Sequence, residues 1–372
     1  MDAATLPVTD GALGLQARGS RRPRLLYIDW LRGVAVVAMI VWHTLDAWTL
    51  PADRTNVLWD VIILIGGSAA PLFLFLAGVS VALGGDAQLR RYSREAAGWQ
   101  LQKRGWQVFG IAHLFRLQSF LLNPAASWSG LIKPDILNIL GLGIVVAAFC
   151  WTRAQTRVRE IVWLLFPAAA IVLMTPSSRR WLWPEWLLRS WAPRIEAYIH
   201  PVGTMGVFTL FPWVGLVLAG TYVGIAISRL DPSRFPKPLA ITGAATIAAG
   251  IVGKFLPSLT PSEFWTTSLS YFLIRVGMMT LAMPLAWLWL QRKTRWSPML
   301  LFGRASLFVY WVHVELAYGA FTHPIQRALP LAWSLTAFFA FTLALLALTQ
   351  WWVNRQGPLI PAFLRATPST EH

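Results

Sequence analysis

Long apolar stretches separated by short polar segments run through almost the whole chain. A helix of about 17–25 mostly apolar residues can cross the roughly 30 Å hydrocarbon core of a bilayer. The pattern predicts ten such helices, at residues 31–50, 57–83, 105–122, 135–151, 160–175, 207–228, 238–256, 269–290, 301–320 and 332–353. The chain is therefore predicted to be an all-α, polytopic integral membrane protein with about ten transmembrane helices.

The distribution of basic residues predicts the orientation of these helices. Lys and Arg of short loops stay on the cytoplasmic side of a membrane. Cations collect in alternate connecting segments, such as the one with Arg90 and Arg94, and are sparse in the segments between. Both termini are therefore expected to be cytoplasmic. This gives a disordered tail at 1–24, a transmembrane domain at 25–356 and a second cytoplasmic tail at 357–372.

Composition supports a membrane location and narrows the possible partners. Of the 372 residues 56% are hydrophobic, and the net charge is +16. The basic residues alternate with the predicted spans and form no continuous patch, so contact with anionic lipid is favoured over nucleic-acid binding. Cys150 is the single cysteine, which excludes an internal disulfide. Residues 1–24 lack the apolar stretch of a cleavable signal peptide, so the first span is expected to target the chain to the inner (plasma) membrane.

The longest segment between predicted spans is rich in tryptophan. Trp181 to Trp191 mixes aromatic and cationic residues, which is typical of a helix lying on the outer headgroups. We interpret it as a membrane-surface anchor. The alternative is that its tryptophans stack on sugar rings at the outer mouth of a site.

The first predicted span contains polar groups at both ends. Asp29 and Arg32 lie where it begins, and His43 and Asp46 lie near its other end. Ionisable side chains within a span are costly unless paired or hydrated, so they usually mark a functional site. His313 lies twelve residues into the ninth span, as His43 does in the first, which puts both at a similar depth of about 18 Å.

His43 is the candidate general base. Histidine accepts and returns a proton near neutral pH, and Asp46, three residues further on, shares a helix face with it. His43, Asp46 and His313 are therefore the candidate catalytic residues. The alternative is a histidine that only hydrogen-bonds two helices together. Two histidines without a third and a fourth ligand fall short of a zinc site, so no metal is expected.

The cytoplasmic ends of the spans offer candidate anion-binding residues. Asp29 and Arg32 are spaced to form an ion pair. In the alternative interpretation, basic residues at this level hold a phosphate-bearing ligand. The candidates are Asp29, Arg32, Arg90, Arg94 and Arg304, of which Arg304 is the strongest single one.

Other polar groups lie near the outer ends of spans. Asp60, Asp135 and Asn138 are either solvated helix caps or hydrogen-bonding groups for a sugar acceptor. Arg116 and Arg275 lie within spans and need partners that the sequence does not identify.

Motifs along the chain resemble those of a known family. Arg24 to Gly33 (RLLYIDWLRG), Pro71 to Gly78, Asp135 to Gly141, Phe211 to Gly215 and Phe302 to His313 occur in order. The set is similar to heparan-α-glucosaminide N-acetyltransferase-like proteins and to bacterial membrane acyltransferases that O-acetylate polysaccharides.

The resemblance implies acyl transfer across a membrane. Acetyl-CoA would supply the acetyl group from the cytoplasm, and a sugar amine or hydroxyl on the outer side would receive it. Asp29, Arg32 and His313 match motif residues. The chain departs from the heparan enzymes, whose catalytic histidine follows the first span, because 49–60 contains no histidine. His43 instead matches the histidine that polysaccharide O-acetyltransferases carry inside that span.

Two other functions remain open at this stage. A transporter or flippase would move an anionic or glycan-linked solute along the same polar path without acyl transfer. A structural membrane subunit would tolerate substitution of His43 and Arg304. The sequence indicates neither the identity of the acceptor nor the oligomeric state.

Overall fold

The computed structural model describes residues 25–122, 128–180, 192–199, 201, 208–231, 236–257, 262–292 and 296–355. Within these ranges the regular structure is helical, and an isolated bridge joins Thr49 to Leu329. The predicted tails and the predicted surface helix at Trp181 to Trp191 lie outside the described residues.

The helices are numbered in chain order. They are α1 (Leu26–Trp48), α2 (Val57–Gln88), α3 (Arg94–Leu122), α4 (Ile136–Arg153), α5 (Arg157–Ser178), α6 (Ala192–Ile199), α7 (Leu210–Arg229), α8 (Pro236–Gly253), α9 (Leu269–Arg292), α10 (Pro298–Arg304), α11 (Ser306–Tyr318) and α12 (Leu331–Asn354).

All ten predicted spans fall on helices. In the part of the chain that the structure describes, seven helices are long and apolar enough to cross a membrane, or eight if α10 and α11 form one broken span. The seven are α1, α2, α4, α5, α7, α9 and α12. The chain is a multi-pass membrane protein. The predicted third and seventh spans correspond to α3 and α8, which are helical but are not among these eight. In the part of α3 that matches the predicted span, the polar side chains of Gln107, His113, Arg116 and Gln118 interrupt the apolar residues.

The prediction of one continuous ninth span was wrong. The chain bends by 91° between α10 and α11. Ala305, at the bend, has φ −107° and ψ 23°, outside the helical region. The physical reason is close packing of α10 on α1, since Gly33 abuts the Met299 backbone and Gly303 abuts the Asp29 carbonyl. This contact fixes the direction of α10 independently of α11.

Contacts between helix ends define two ends of the bundle. We call the end at which α1 begins the proximal end and the opposite end the distal end. Asp29 meets Gly303 at the proximal end, and Trp296 bonds to Gln350 near the end of α12. Trp48 donates to the Ala317 carbonyl at the distal end. The described chain therefore starts and finishes at the same end of the bundle.

Side-chain caps fix where two helices begin at the distal end of the bundle. Asn56 accepts a hydrogen bond from the Trp59 amide and starts α2. Asp135 and Asn138 form a reciprocal capping box at the start of α4. The Asp135 carboxylate is thereby held at the distal end of α4.

Three buried clusters surround the centre of the bundle. Trp151 and Leu218 belong to one cluster, Ile40 and Phe115 to a second, and Phe75 to a third. Buried and partly buried side chains of these clusters line a large cavity, which contains the candidate site.

Candidate active site

A cavity of about 780 Å³ lies among α1, α2, α3, α4, α7, α9 and α11. Small residues on α2, namely Gly66, Gly67, Ala69 and Ala70, provide part of this space. Most of the lining is apolar. The polar or charged residues that line it are His43, Asp135, Arg179, Thr266, Arg275, Ser306 and Tyr310. A volume of several hundred Å³ with a few convergent polar groups is typical of a ligand-binding site.

Two histidines from different helices meet beside this cavity. His43 Nδ1 lies 2.8 Å from His313 Nε2, and the two ring planes differ by 8°. His43 is half-buried and lines the cavity, whereas His313 is fully buried. The structure therefore joins α1 to α11 through two of the three candidate catalytic side chains.

The hydrogen bonds assign the tautomers of both rings. His313 Nδ1 lies 2.7 Å from the Val309 carbonyl oxygen. A carbonyl only accepts, so His313 Nδ1 carries a proton and, in the neutral ring, its Nε2 does not. His43 Nδ1 must then donate to His313 Nε2. The remaining nitrogen, His43 Nε2, keeps its lone pair and can accept a proton.

Asp46, the third candidate catalytic residue, bonds to other groups than His43. Its carboxylate lies 3.1 Å from the Arg54 guanidinium and accepts a hydrogen bond of 3.1 Å from the Tyr318 hydroxyl. The Tyr318 ring packs edge-on against His43, at 5.6 Å between ring centroids. Among the described residues Asp46 therefore forms no hydrogen bond with His43, and Tyr318 contacts both side chains.

Asp135 is the centre of a second polar group on the cavity wall. Its Oδ2 accepts from the Tyr310 hydroxyl at 2.8 Å and lies 3.1 Å from the Arg116 guanidinium. The structure thereby identifies the partner that Arg116 needs. Asn138 is buried and binds back to the Asp135 amide, so it holds the helix start. Asp60 is exposed on the first turn of α2 and is not among the residues lining the cavity.

The candidate anion-binding residues lie toward the proximal end and are dispersed. Arg32 bonds to Asp29 at 3.2 Å and to the Ser80 hydroxyl at 2.6 Å. Arg304 ends α10, two residues before the cavity-lining Ser306. The Arg304 Nε is buried, and no described residue bonds to it.

Arg90 and Arg94 lie elsewhere at the proximal end. Arg90 is exposed. Arg94 donates to the Trp151 carbonyl at 3.0 Å and faces a smaller cavity of about 240 Å³, which Asp86 and Arg229 also line. The five predicted anion-binding residues therefore do not converge on one pocket.

Two arginines line the distal part of the large cavity. Arg275 donates to the Tyr271 hydroxyl at 3.2 Å and lies over the rings of Tyr271 and Trp213. Arg179 follows α5, and its Nε is buried without a bond from the described part of the chain. Burial lowers the pKa of the Arg179 guanidinium, while Glu263 opposes that shift. Arginine nevertheless stays charged in proteins.

Sequence reasoning did not single out Tyr310, Ser80 or Arg179. Tyr310 precedes His313 by three residues, which puts both on one helix face, and that spacing was the available signal. Ser80 and Arg179 reach their places only through packing between distant segments. The described residues contain no group of three or more His, Cys, Asp or Glu side chains that could hold a metal ion.

The chain matches a known protein family. A family model described as heparan-alpha-glucosaminide N-acetyltransferase, catalytic, matches residues 24–254, more than half of the chain. The matched region contains His43 and Asp135, while Arg304 and His313 lie beyond it. A search of curated proteins found no match.

Proposed function

Because the chain belongs to the heparan-alpha-glucosaminide N-acetyltransferase family, we propose that it transfers an acetyl group from acetyl-CoA to an amine or hydroxyl of a sugar. His43 acts as the general base in this reaction. Acetyl-CoA binds from the cytoplasm at the proximal end, the sugar reaches the cavity from the distal end, and the protein lies in the inner (plasma) membrane. The observation that carries this proposal is the His43–His313 pair beside the large cavity.

His43 Nε2 is the proton acceptor. As the acceptor nitrogen or oxygen attacks the thioester carbonyl, His43 Nε2 takes its proton, which makes the attacking atom more nucleophilic. The tetrahedral intermediate then collapses, the carbon–sulfur bond breaks, and the His43 imidazolium returns the proton to the leaving thiolate. The products are the acetylated acceptor and free CoA. No covalent enzyme intermediate is needed, because positioning and a base suffice.

His313 positions the base and stabilises its charged form. The hydrogen bond from His43 Nδ1–H to His313 Nε2 keeps the lone pair of His43 on Nε2. It also becomes stronger when His43 is charged, since hydrogen bonds from ionised donors are stronger than neutral ones. His313 cannot turn to other partners, because its Nδ1–H is bound to the Val309 carbonyl.

The break between α10 and α11 provides donors for the developing negative charge. The first turn of an α-helix has N–H groups without intrahelical partners, and its dipole favours negative charge. The first turn of α11 has no side-chain cap, and Ser306 and Leu307 line the cavity. We assign these backbone N–H groups to the thioester oxygen, which becomes an oxyanion during attack.

Arg304 and Arg32 are assigned to the donor. Arg304 is the candidate nearest in sequence to the cavity, and it is adjacent to the helix break. Its guanidinium suits a phosphate of CoA, and the thioester would extend from there toward His43. Asp29 holds Arg32 in place, and Arg90 and Arg94 add positive charge at the proximal surface.

A broken helix also favours a second candidate function. Discontinuous helices with a central binding site are typical of secondary transporters. A transporter or flippase would move an anionic or glycan-linked solute through the cavity and leave acetyl-CoA intact.

One experiment separates these two functions. The purified protein in proteoliposomes receives ¹⁴C-acetyl-CoA on one side and a panel of amino sugars and oligosaccharides on the other. The proposal expects acetylated sugar together with stoichiometric free CoA thiol. Solute movement without thioester cleavage would contradict acyl transfer and support the transporter.

A further inference from the structure

The distal part of the large cavity is unlike a site for a free sugar. A sugar ring presents many hydroxyl groups that need hydrogen-bonding partners, yet most of the wall is apolar. Among the described polar groups, Asp135 already bonds to Tyr310, Arg116 and the Ile136 amide. The volume of about 780 Å³ therefore suits a ligand with a substantial apolar portion.

Two guanidinium groups face this apolar space. Arg275 lies over Tyr271, at 4.1 Å from the ring centroid, which fixes its plane. Neither Arg275 nor Arg179 forms an ion pair within 4 Å of a carboxylate of the described residues, although the Glu263 carboxylate is near enough to Arg179 to act on its charge. A cation facing an apolar membrane cavity is costly without a counter-charge. Arginine is also the residue that best binds phosphate and carboxylate groups through paired N–H donors.

The cavity wall formed by α2 borders the lipid-facing surface of the bundle. Ile63 lines the cavity and is 44% exposed, and its neighbour Leu64 is 62% exposed. Gly67 also lines the cavity, and a Cβ added there would meet nothing within 4 Å. On the other side of the cavity, Trp265 is 64% exposed.

The packing of α2 against α9 explains this thin wall. The two helices share a buried cluster in the part nearer the proximal end, through Leu72, Met279 and Met283. Further toward the distal end, Gly67 of α2 and Arg275 of α9 both line the cavity instead. At this level the small residues of α2 place little side-chain volume between the cavity and the surrounding hydrocarbon.

We propose that the distal cavity binds an anionic amphiphile from the outer leaflet, with its phosphate-type group held by Arg179 and Arg275. Its hydrocarbon chain passes along Ile63, Gly67 and Trp265. This inference deepens the proposed function and rests on it in one respect, namely that the bound amphiphile carries the acetyl acceptor. A lipid-linked sugar phosphate has this chemistry. Its headgroup would point toward His43, which lines the same cavity.

The test measures binding without acetyl-CoA. The full-length protein in neutral detergent is equilibrated with ³²P-labelled dodecyl phosphate, a probe with a single chain and a phosphate. We compare the wild type with Arg275→Gln, Arg179→Gln and, as a matched control, Arg327→Gln, which removes an exposed guanidinium outside the cavity lining. The midpoint temperature of thermal unfolding reports folding of each variant.

The inference expects saturable binding that is about tenfold or more weaker in either cavity variant and unchanged in Arg327→Gln. Unlabelled dodecyl phosphate should displace the probe, and inorganic phosphate at equal concentration should not. Equal displacement by inorganic phosphate would contradict binding of an amphiphile, because the hydrocarbon chain would then contribute nothing to affinity. Equal binding by folded cavity variants would overturn the arginine site. Wild-type binding without acetyl transfer to any acceptor would contradict the proposed function alone.

Discussion

His313 determines which ring nitrogen of His43 carries a proton and which one can act as the base. With Nδ1 bound to the Val309 carbonyl, the ring can offer only Nε2 to His43. The same two histidines with the reverse hydrogen bond would place the proton on His43 Nε2 and abolish its function as a base. The role of His43 as the base therefore depends on the hydrogen bond between His313 and the Val309 carbonyl.

Replacing His313 tests this dependence. We expect His313→Ala to lower kcat about 10–100-fold, because His43 loses the acceptor that fixes its tautomer. KM for acetyl-CoA should change little, since His313 is buried and does not line the cavity. Steady-state kinetics of acetyl transfer gives both values.

The matched variant is His313→Gln, whose side-chain oxygen can still accept from His43 Nδ1 and should restore part of kcat. A double variant with His43→Ala should be no slower than His43→Ala alone, because the two rings act as a unit. Independent, multiplicative losses would contradict a positioning role.

Part of this residue-level arrangement could be predicted from the sequence. Counting helix rise along two continuous spans predicted equal depth for His43 and His313. The two rings do meet, but the count for His313 ran across the bend at Ala305, so the rise alone does not explain the contact. The proximity of Asp46 to His43 in sequence suggested a hydrogen bond, but Arg54 and Tyr318 bind that carboxylate instead. Those partners come from a loop and from another helix, and helical spacing says nothing about either.

At the scale of elements, the break between α10 and α11 is the main departure from the predicted span. No proline lies at the break. Gly303, Arg304 and Ser306 interrupt the apolar residues only briefly before Leu307 resumes them, so the hydrophobic pattern alone predicts a continuous helix. The bend instead depends on the backbone contact of α10 with α1 at Gly33 and Gly303. A tertiary contact of this kind leaves only two glycines as its sequence signal.

Gly303→Ala tests that contact. A Cβ at Gly303 would overlap the Asp29 carbonyl, and neither backbone can move freely. We expect a loss of stability of about 1–3 kcal/mol, typical of overpacking, seen as a lower midpoint temperature of thermal unfolding. Because the shift would displace the first turn of α11, acetyl transfer should fall as well.

Gly110→Ala is the matched control, since a Cβ there would meet nothing within 4 Å. It should leave both stability and activity close to wild type. A Gly303→Ala protein as stable and as active as Gly110→Ala would contradict the account of the break.

For the whole molecule, several basic residues lie at the same end of the bundle as the two ends of the described chain. The described chain starts and finishes at the proximal end, where Arg90, Arg94, Arg153 and Arg229 also lie. The class of fold was predictable because a bilayer requires long apolar helices. The number of membrane-spanning helices was harder to predict, because charged helices such as α3 pack among apolar ones.

The orientation can be tested by cysteine labelling. Cys150 is the single native cysteine, so a Cys150→Ala background has none. Thr55 is exposed between α1 and α2, and Gln155 is exposed between α4 and α5. Thr55→Cys should react with a membrane-impermeant maleimide on intact cells, whereas Gln155→Cys should react only after permeabilisation. The reverse pattern would place the proximal end outside the cell and contradict a cytoplasmic donor site.

The central claim is that His43 is the base of an acetyl transfer reaction. Its most direct test is the rate of ¹⁴C-acetyl transfer from acetyl-CoA to acceptor by purified wild type, His43→Gln and the control His323→Gln, which changes an exposed histidine outside the cavity lining. We expect His43→Gln to lower kcat by about 10²–10⁴-fold and His323→Gln to match the wild type. Wild-type rates in folded His43→Gln, or no transfer by the wild type, would contradict the claim.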